Sequence, residues 1–172
     1  MSHTYSEFLP SYSVGVDCYK AIPEIVKPYG KKAVAVGGKT AMEKSKKALL
    51  EGIKDSDIEI IDFVWYGGDS SYENVEKIKN NPSVQKADMV FGIGGGRAVD
   101  TAKTYCALYN KPLFTFPTIA SNCASCTSLS VMYNPDGTFK EYSYHKAPAI
   151  HTFINTKIIA ESPEKLMWAG IG

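Results

Sequence analysis

The residues with the clearest chemical potential are Gly94-Gly95-Gly96, three consecutive glycines inside the segment Gly92–Lys103. An apolar run, Met89-Val90-Phe91, leads into them, and a helix-like segment, Arg97–Leu108, leads out. A glycine at a strand-to-helix turn has no Cβ, so its backbone can lie directly against a ligand. The first turn of the following helix offers unpaired N–H groups and a partial positive charge. Together these make a seat for a phosphate or pyrophosphate. Tight packing of strand on helix is the other reading of the same turn. No Gly-Lys-Ser or Gly-Lys-Thr closes the turn, so the parts for phosphoryl transfer are missing. The standard dinucleotide fingerprint is not met either, because the turn follows a later strand. About 20 residues on, where that fingerprint wants an acid, lies Leu113–Thr118 with none.

A second cluster, Pro117–Ser128, is rich in hydroxyls that suit a ribose or a phosphate. It follows an apolar run and so belongs at the C-terminal edge of a sheet, where α/β folds bind ligands. Its other reading is a polar loop that caps its own backbone. Within it, Cys123-Ala124-Ser125-Cys126 lacks a second ligand pair at zinc spacing. It also lacks the strand context of a thioredoxin-like site, so these residues read as free thiols. His3, His145 and His151 are scattered, and no metal site is expected within this chain. Asp100 reads as a helix-dipole or capping carboxylate in the first turn of its helix, and Lys103 as a solvated helix residue.

The elements that must position these clusters alternate. Strands are expected at Tyr12–Val16, Lys32–Val36, Ile58–Trp65, Asp88–Ile93 and Leu113–Phe116, each a short apolar run, three of them ending at Gly or Pro. Between them, helices are expected at Ala21–Tyr29, at Ala41–Ile53 with Thr40 as cap, at Tyr72–Asn80 with Ser70 or Ser71 as cap, and at Arg97–Leu108. Past Pro117, Ser128–Tyr133 alternates with period two, Asn134-Pro135-Asp136-Gly137 marks a turn, and Thr138–Tyr142 returns as a hairpin. Ala149–Asn155 can add a strand, and Ser162-Pro163-Glu164 opens a last helix. The order predicts an α/β fold: a Rossmann-like parallel sheet with flanking helices, right-handed crossovers and an added β-hairpin.

Bulk properties narrow the function classes. The chain has 172 residues, 44% of them hydrophobic and 22% charged, and a net charge of +1. That charge gives no footprint for nucleic acid or for a polybasic membrane contact. No apolar run approaches a membrane span, and Met1–Glu7 has no features of a secretory leader. Four cysteines in a chain of this length are not a disulfide scaffold. A cytoplasmic protein is expected.

Taken in order, Gly92–Lys103, Pro117–Ser121, Ser128–Tyr133 with Asp136-Gly137, Asn155–Ile159, Ser162-Pro163 and Ala169–Gly172 resemble the iron-containing (group III) alcohol dehydrogenases, on the glycerol dehydrogenase branch. The likeness spans nearly the whole chain. It implies that residues 1–161 form an α/β dinucleotide-binding domain, and that 162–172 begin the connection to a C-terminal all-helical, metal-binding domain that this chain lacks. It also implies Gly94, Gly95, Gly96, Arg97 and Asp100 at the pyrophosphate, and Thr118, Ser121, Thr127, Leu129 and Tyr133 around the rest of NAD or NADP. The implied reaction is hydride transfer between that cofactor and a small alcohol or polyol. A divalent metal, zinc or iron, would act as Lewis acid in the full-length protein only, which would be a homo-oligomer.

The sequence departs from the family pattern in places. The family's first metal ligand directly follows the position of Gly172, so the chain alone is expected to be inactive. Cys123 stands where the family's loop carries a substrate-touching aspartate, and a thiol does not replace a carboxylate against a polyol. Asn155 replaces a further aspartate of structural type. Gly38 and Lys39, followed by Thr40, stand where NAD-preferring members place an acid, which leans the cofactor toward NADP. Two other readings are a non-catalytic dinucleotide-binding or sensor module, and a dehydroquinate-synthase-like enzyme, against which the Thr118–Tyr133 pattern argues.

Overall fold

The structure is a computed structural model that describes residues 9–171. His3, the leader reading of Met1–Glu7, and Gly172 lie outside the described residues. Six strands form one wholly parallel sheet: β1 (Ser11–Val14), β2 (Lys32–Gly37), β3 (Glu59–Trp65), β4 (Met89–Gly94), β5 (Leu113–Pro117) and β8 (His151–Ile154). Their spatial order is β1-β8-β5-β4-β2-β3. The antiparallel pair β6 (Leu129–Tyr133) and β7 (Phe139–Tyr144) makes the expected hairpin. This is the α/β, Rossmann-like architecture anticipated from the alternation of elements.

The central strands are buried on both faces, as a parallel sheet covered by helices requires. Residues Ala33–Val36 and Met89–Ile93 therefore read as unbroken apolar runs except for Gly92. One face carries Phe91, Phe114, Phe116 and Phe153, covered by Tyr19, by α1 (Ile22–Val26) and by α2 (Lys39–Ile53). Phe116 lies 4.9 Å from both Phe91 and Phe153 between ring centroids. The other face carries Val34, Val36 and Val90, covered by α3 (Tyr72–Lys79), α4 (Pro82–Lys86) and α5 (Gly96–Tyr109).

Local chemistry corrects several expected boundaries. The helix read over Ala21–Tyr29 is broken: α1 is flanked by short 3-10 turns at Cys18–Ala21 and Lys27–Tyr29. Pro28 has no N–H to donate back to the preceding turn, so α-helical bonding stops and the chain continues as a 3-10 turn. Strand β1 stops at Val14 because Gly15 turns the chain with φ +139°. Gly38, not Thr40, occupies the cap position of α2. Ser71 caps α3 by accepting from the Asn74 N–H. Two short helices were not foreseen. Asn81 caps α4, and Asn155 caps α6 (Thr156–Ala160) by accepting from Lys157 and Ile158. Asn155 also donates to the Val16 carbonyl at 3.1 Å, a structural post. The last helix, α7, spans Glu164–Ile171. No helix of the described residues is long and apolar enough to cross a membrane.

Candidate functional site

The chain runs from β2 outward to β3, then returns to place β4 on the opposite side of β2 and continues to β5. The connections thus diverge between β2 and β4, and a crevice opens at their C-terminal ends. Gly37 of β2 pairs there with Ile93 of β4, and the Gly38 N–H donates to the Ile93 carbonyl at 3.3 Å. The glycine turn sits at this point. Gly94 has φ +140°, and a Cβ there would meet Ala98 Cβ at 3.0 Å, so both backbone and space demand glycine. Gly95 is the N-cap of α5 and brings no side-chain cap, which leaves the first N–H groups of the helix open. A Cβ on Gly95 would lie 2.7 Å from Ile119 Cδ1, and one on Gly96 would lie 2.7 Å from Asn122 Nδ2.

Gly94, Gly95 and Gly96 face Ser121 and Asn122 across a narrow groove. Beside it lies a cavity of about 570 Å³ lined by Thr40, Ala41, Gly95, Thr118, Ile119 and Leu166, among others. Gly95 and Ile119 border both spaces, and Thr118, on the wall of the larger one, donates its N–H to the Gly94 carbonyl at 3.3 Å. On the far flank, the Arg97 guanidinium stacks 5.0 Å from the Tyr133 ring and pairs with Asp69 at 3.5 Å. Lys39 is exposed at the start of α2, its ammonium 4.6 Å from the Trp65 ring. Gly38, Lys39, Arg97, Thr118, Ser121 and Tyr133 therefore border the same sheet edge as the glycines. Cys123 is exposed on the loop beyond Asn122.

Asp100 and Lys103 overturn their expected surroundings. Asp100 lies in the second turn of α5, not the first, and neither residue is solvated: they are 5% and 2% exposed. The Lys103 ammonium donates to Asp100 Oδ1 at 3.1 Å and to the Leu129 carbonyl at 2.5 Å. Asp100 Oδ2 accepts from the Val131 N–H at 3.1 Å. Burial raises the Asp100 carboxyl and lowers the Lys103 ammonium from their ordinary values, and each partner's charge opposes that shift in the other. The pair clamps β6 onto α5. Leu129 enters through this clamp, and Thr127 turns back on the Leu129 carbonyl at 3.5 Å. Ser130 Oγ donates to the Asp100 carbonyl and shares a 2.8 Å hydrogen bond with His145 Nε2.

His151 is buried between Ser11 and Ser13, at 2.7 and 2.9 Å from their hydroxyls, and holds β1 to the sheet. Among the described residues no group of three or more His, Cys, Asp or Glu could hold a metal ion.

The family model for iron-containing alcohol dehydrogenase matches residues 10–154. The chain belongs to that family. It is 30% identical to glycerol dehydrogenase from Escherichia coli O6:H1 over 161 residues, covering 94% of this chain and 44% of that protein. It is 30% identical to glycolaldehyde reductase from Halobacterium salinarum over 142 residues, covering 83% of this chain and 39% of that protein. The structure of glycerol dehydrogenase from Schizosaccharomyces pombe superposes with a TM-score of 0.85 at 28% identity, covering 99% of this chain and 43% of that one. The chain thus spans less than half the length of these relatives.

Sequence reasoning missed several parts of this family member's groove. Asp69, behind Gly67-Gly68, holds Arg97, and its carbonyl accepts from the side chains of Asn74 and Thr101. The Ser70 carbonyl accepts from the Tyr133 N–H at 2.8 Å, tying the hairpin to the start of α3. The paired glycines before Asp69 were the available signal, since both adopt positive φ.

Proposed function

We propose that this chain is the dinucleotide-binding part of a metal-dependent alcohol or polyol dehydrogenase, with residues 1–161 as the binding unit. The observation that carries this reading is the uncapped N-terminus of α5 behind Gly94-Gly95-Gly96, opening at the divergence of β2 and β4. The residues fit a pyrophosphate. Any Cβ on Gly95 or Gly96 would crowd the opposing loop, and the open N–H groups carry the positive end of the helix dipole. In this reading those N–H groups bind the pyrophosphate, with Arg97 adding charge from the flank. Ser121 and Thr127 offer hydroxyls, and Thr118, Leu129 and Tyr133 shape the walls. When bound, the nicotinamide supplies the hydride chemistry.

The described residues do not supply a metal donor set, so no step through a metal is assigned to them. We therefore propose that these 172 residues do not turn over an alcohol by themselves. Alcohol-dependent reduction of the cofactor at a rate usual for a dehydrogenase, about 1 s⁻¹ or more, would overturn this.

The cofactor is proposed to be NADP. No carboxylate stands at Gly38, and the exposed Lys39 ammonium at the head of α2 favours a 2′-phosphate. Isothermal titration with NADPH and NADH tests both levels of the reading. Binding of either with a loss on Arg97→Ala supports the groove, and tighter NADPH binding supports the choice of cofactor. No binding of either removes the function, and a clear preference for NADH removes only the NADP assignment.

A further inference from the structure

The loop opposite the glycine turn carries two cysteines that the proposed function does not use. We propose that Cys123 and Cys126 form a peroxide-responsive dithiol whose closure to a disulfide weakens the adjacent groove's hold on its dinucleotide; the second half rests on the function proposed above.

The geometry supports closure. The Cys126 N–H donates to the Cys123 carbonyl at 2.9 Å, which makes residues 123–126 a tight turn. Such a turn brings its first and last Cα atoms within about 7 Å, and a disulfide spans Cα atoms about 4.4–6.8 Å apart. Cys123 is exposed and Cys126 half-buried, so an oxidant reaches the pair from solvent.

The other two thiols are set apart. Burial pushes the Cys18 thiol up to about 11, and the fully buried Cys106 thiol well above its ordinary value. Both are therefore held as unreactive thiols.

The turn is anchored at Ser125. The Ser125 carbonyl accepts from the buried Thr115 and Thr152 hydroxyls, each at 3.0 Å. Asn122, Ala124 and Ser125 line the groove with Gly94–Gly96, and Asn122 lies against Gly96. Drawing Cys123 toward Cys126 therefore moves Asn122 and Ser121 relative to the glycine turn.

The chemistry balances with hydrogen peroxide as oxidant. The Cys123 thiolate attacks a peroxide oxygen, the O–O bond breaks, and hydroxide leaves, taking a proton to become water. The resulting sulfenic acid is attacked at sulfur by the Cys126 thiolate, the S–O bond breaks, and hydroxide leaves, taking the proton released from the Cys126 thiol to become a second water. Two electrons pass from the sulfur pair to the peroxide.

The test uses the full chain, reduced or treated with a slight excess of hydrogen peroxide. Intact mass after alkylation is measured beside NADPH and NADH titration. We expect two fewer alkyl groups on the oxidised chain and, before alkylation, a mass decrease of about 2 Da for the two hydrogens removed. We also expect dinucleotide affinity to fall about fivefold or more, a change of about 1 kcal/mol, and to recover with dithiothreitol. Cys106→Ala keeps the mass change, whereas Cys123→Ser and Cys126→Ser abolish it. Absence of the disulfide in wild type overturns the proposal, and a disulfide that leaves affinity unchanged overturns its regulatory half. If the reduced chain binds no dinucleotide, the function proposed above fails, and the mass measurement still decides the dithiol.

Discussion

The glycine turn and the hairpin flank the start of α5 but are held in place by different means. The turn is the end of β4, a strand buried on both faces, and its position is set by backbone pairing and by the aromatic layer beneath it. The hairpin is a two-stranded sheet with β7 largely exposed. It stays beside α5 through the fully buried Met132, which joins the core with Ala102 and Tyr105, and through polar bonds: Lys103 to Leu129, Asp100 to Val131, Ser130 to the Asp100 carbonyl, and Tyr133 to Ser70. Two strands alone are marginal in water. The glycine turn therefore inherits the stability of the sheet, while the hairpin combines the burial of Met132 with a buried charge pair.

That contrast can be broken by substitution. Phe116→Ala should cost about 3–5 kcal/mol, because it removes a fully buried ring from the layer that carries the sheet. Urea denaturation checks this, and a cost below about 1 kcal/mol would mean that packing is not what fixes the turn. Lys103→Met should cost about 3 kcal/mol, since it leaves Asp100 buried without its cation. Adding Asp100→Leu should return part of that loss, because removing both charges also removes the desolvation penalty. A double change as costly as the sum of the single ones would show that the two residues act independently.

The smallest effect is a pH dependence confined to the hairpin. His145 is pushed from 6.5 down to about 4, first by burial and then by the Lys103 charge. The unfolded chain takes up its proton first as the solution acidifies. The contribution of this site is thus complete above pH 6.5 and is lost as pH falls toward about 4. Wild type minus His145→Gln, measured as urea midpoint against pH, should decline across that window. A flat difference would remove His145 from the hairpin's anchorage.

Much of the groove was legible because its signals are local. Three adjacent glycines after an apolar run, Pro117 closing the next one, and Asn134-Pro135-Asp136-Gly137 between two alternating segments each act within a few residues. Asn155 was legible as a structural residue only through the family resemblance, in which it replaces an aspartate. Lys103 was misread because a lysine on a helix is ordinarily solvated. Only the hairpin, which arrives from residues 129–133, buries it. Asp69 and Asn122 were missed because their partners, Arg97 and Gly96, are remote in sequence.

The sequence by itself determined the alternation of strands and helices, the place where a backbone without side chains opens a helix N-terminus, and the family to which these residues point. Those properties follow from periodicity and from glycine's missing Cβ, which operate over one turn of chain. Only the tertiary structure decided which residues close the groove and how. The order β1-β8-β5-β4-β2-β3 sets β2 against β4 and lays Asn122 on Gly96. The folding of β6 onto α5 turns an exposed-looking lysine into a buried clamp. Those outcomes depend on long-range packing and on the cost of burying charge, and no short window of sequence carries either.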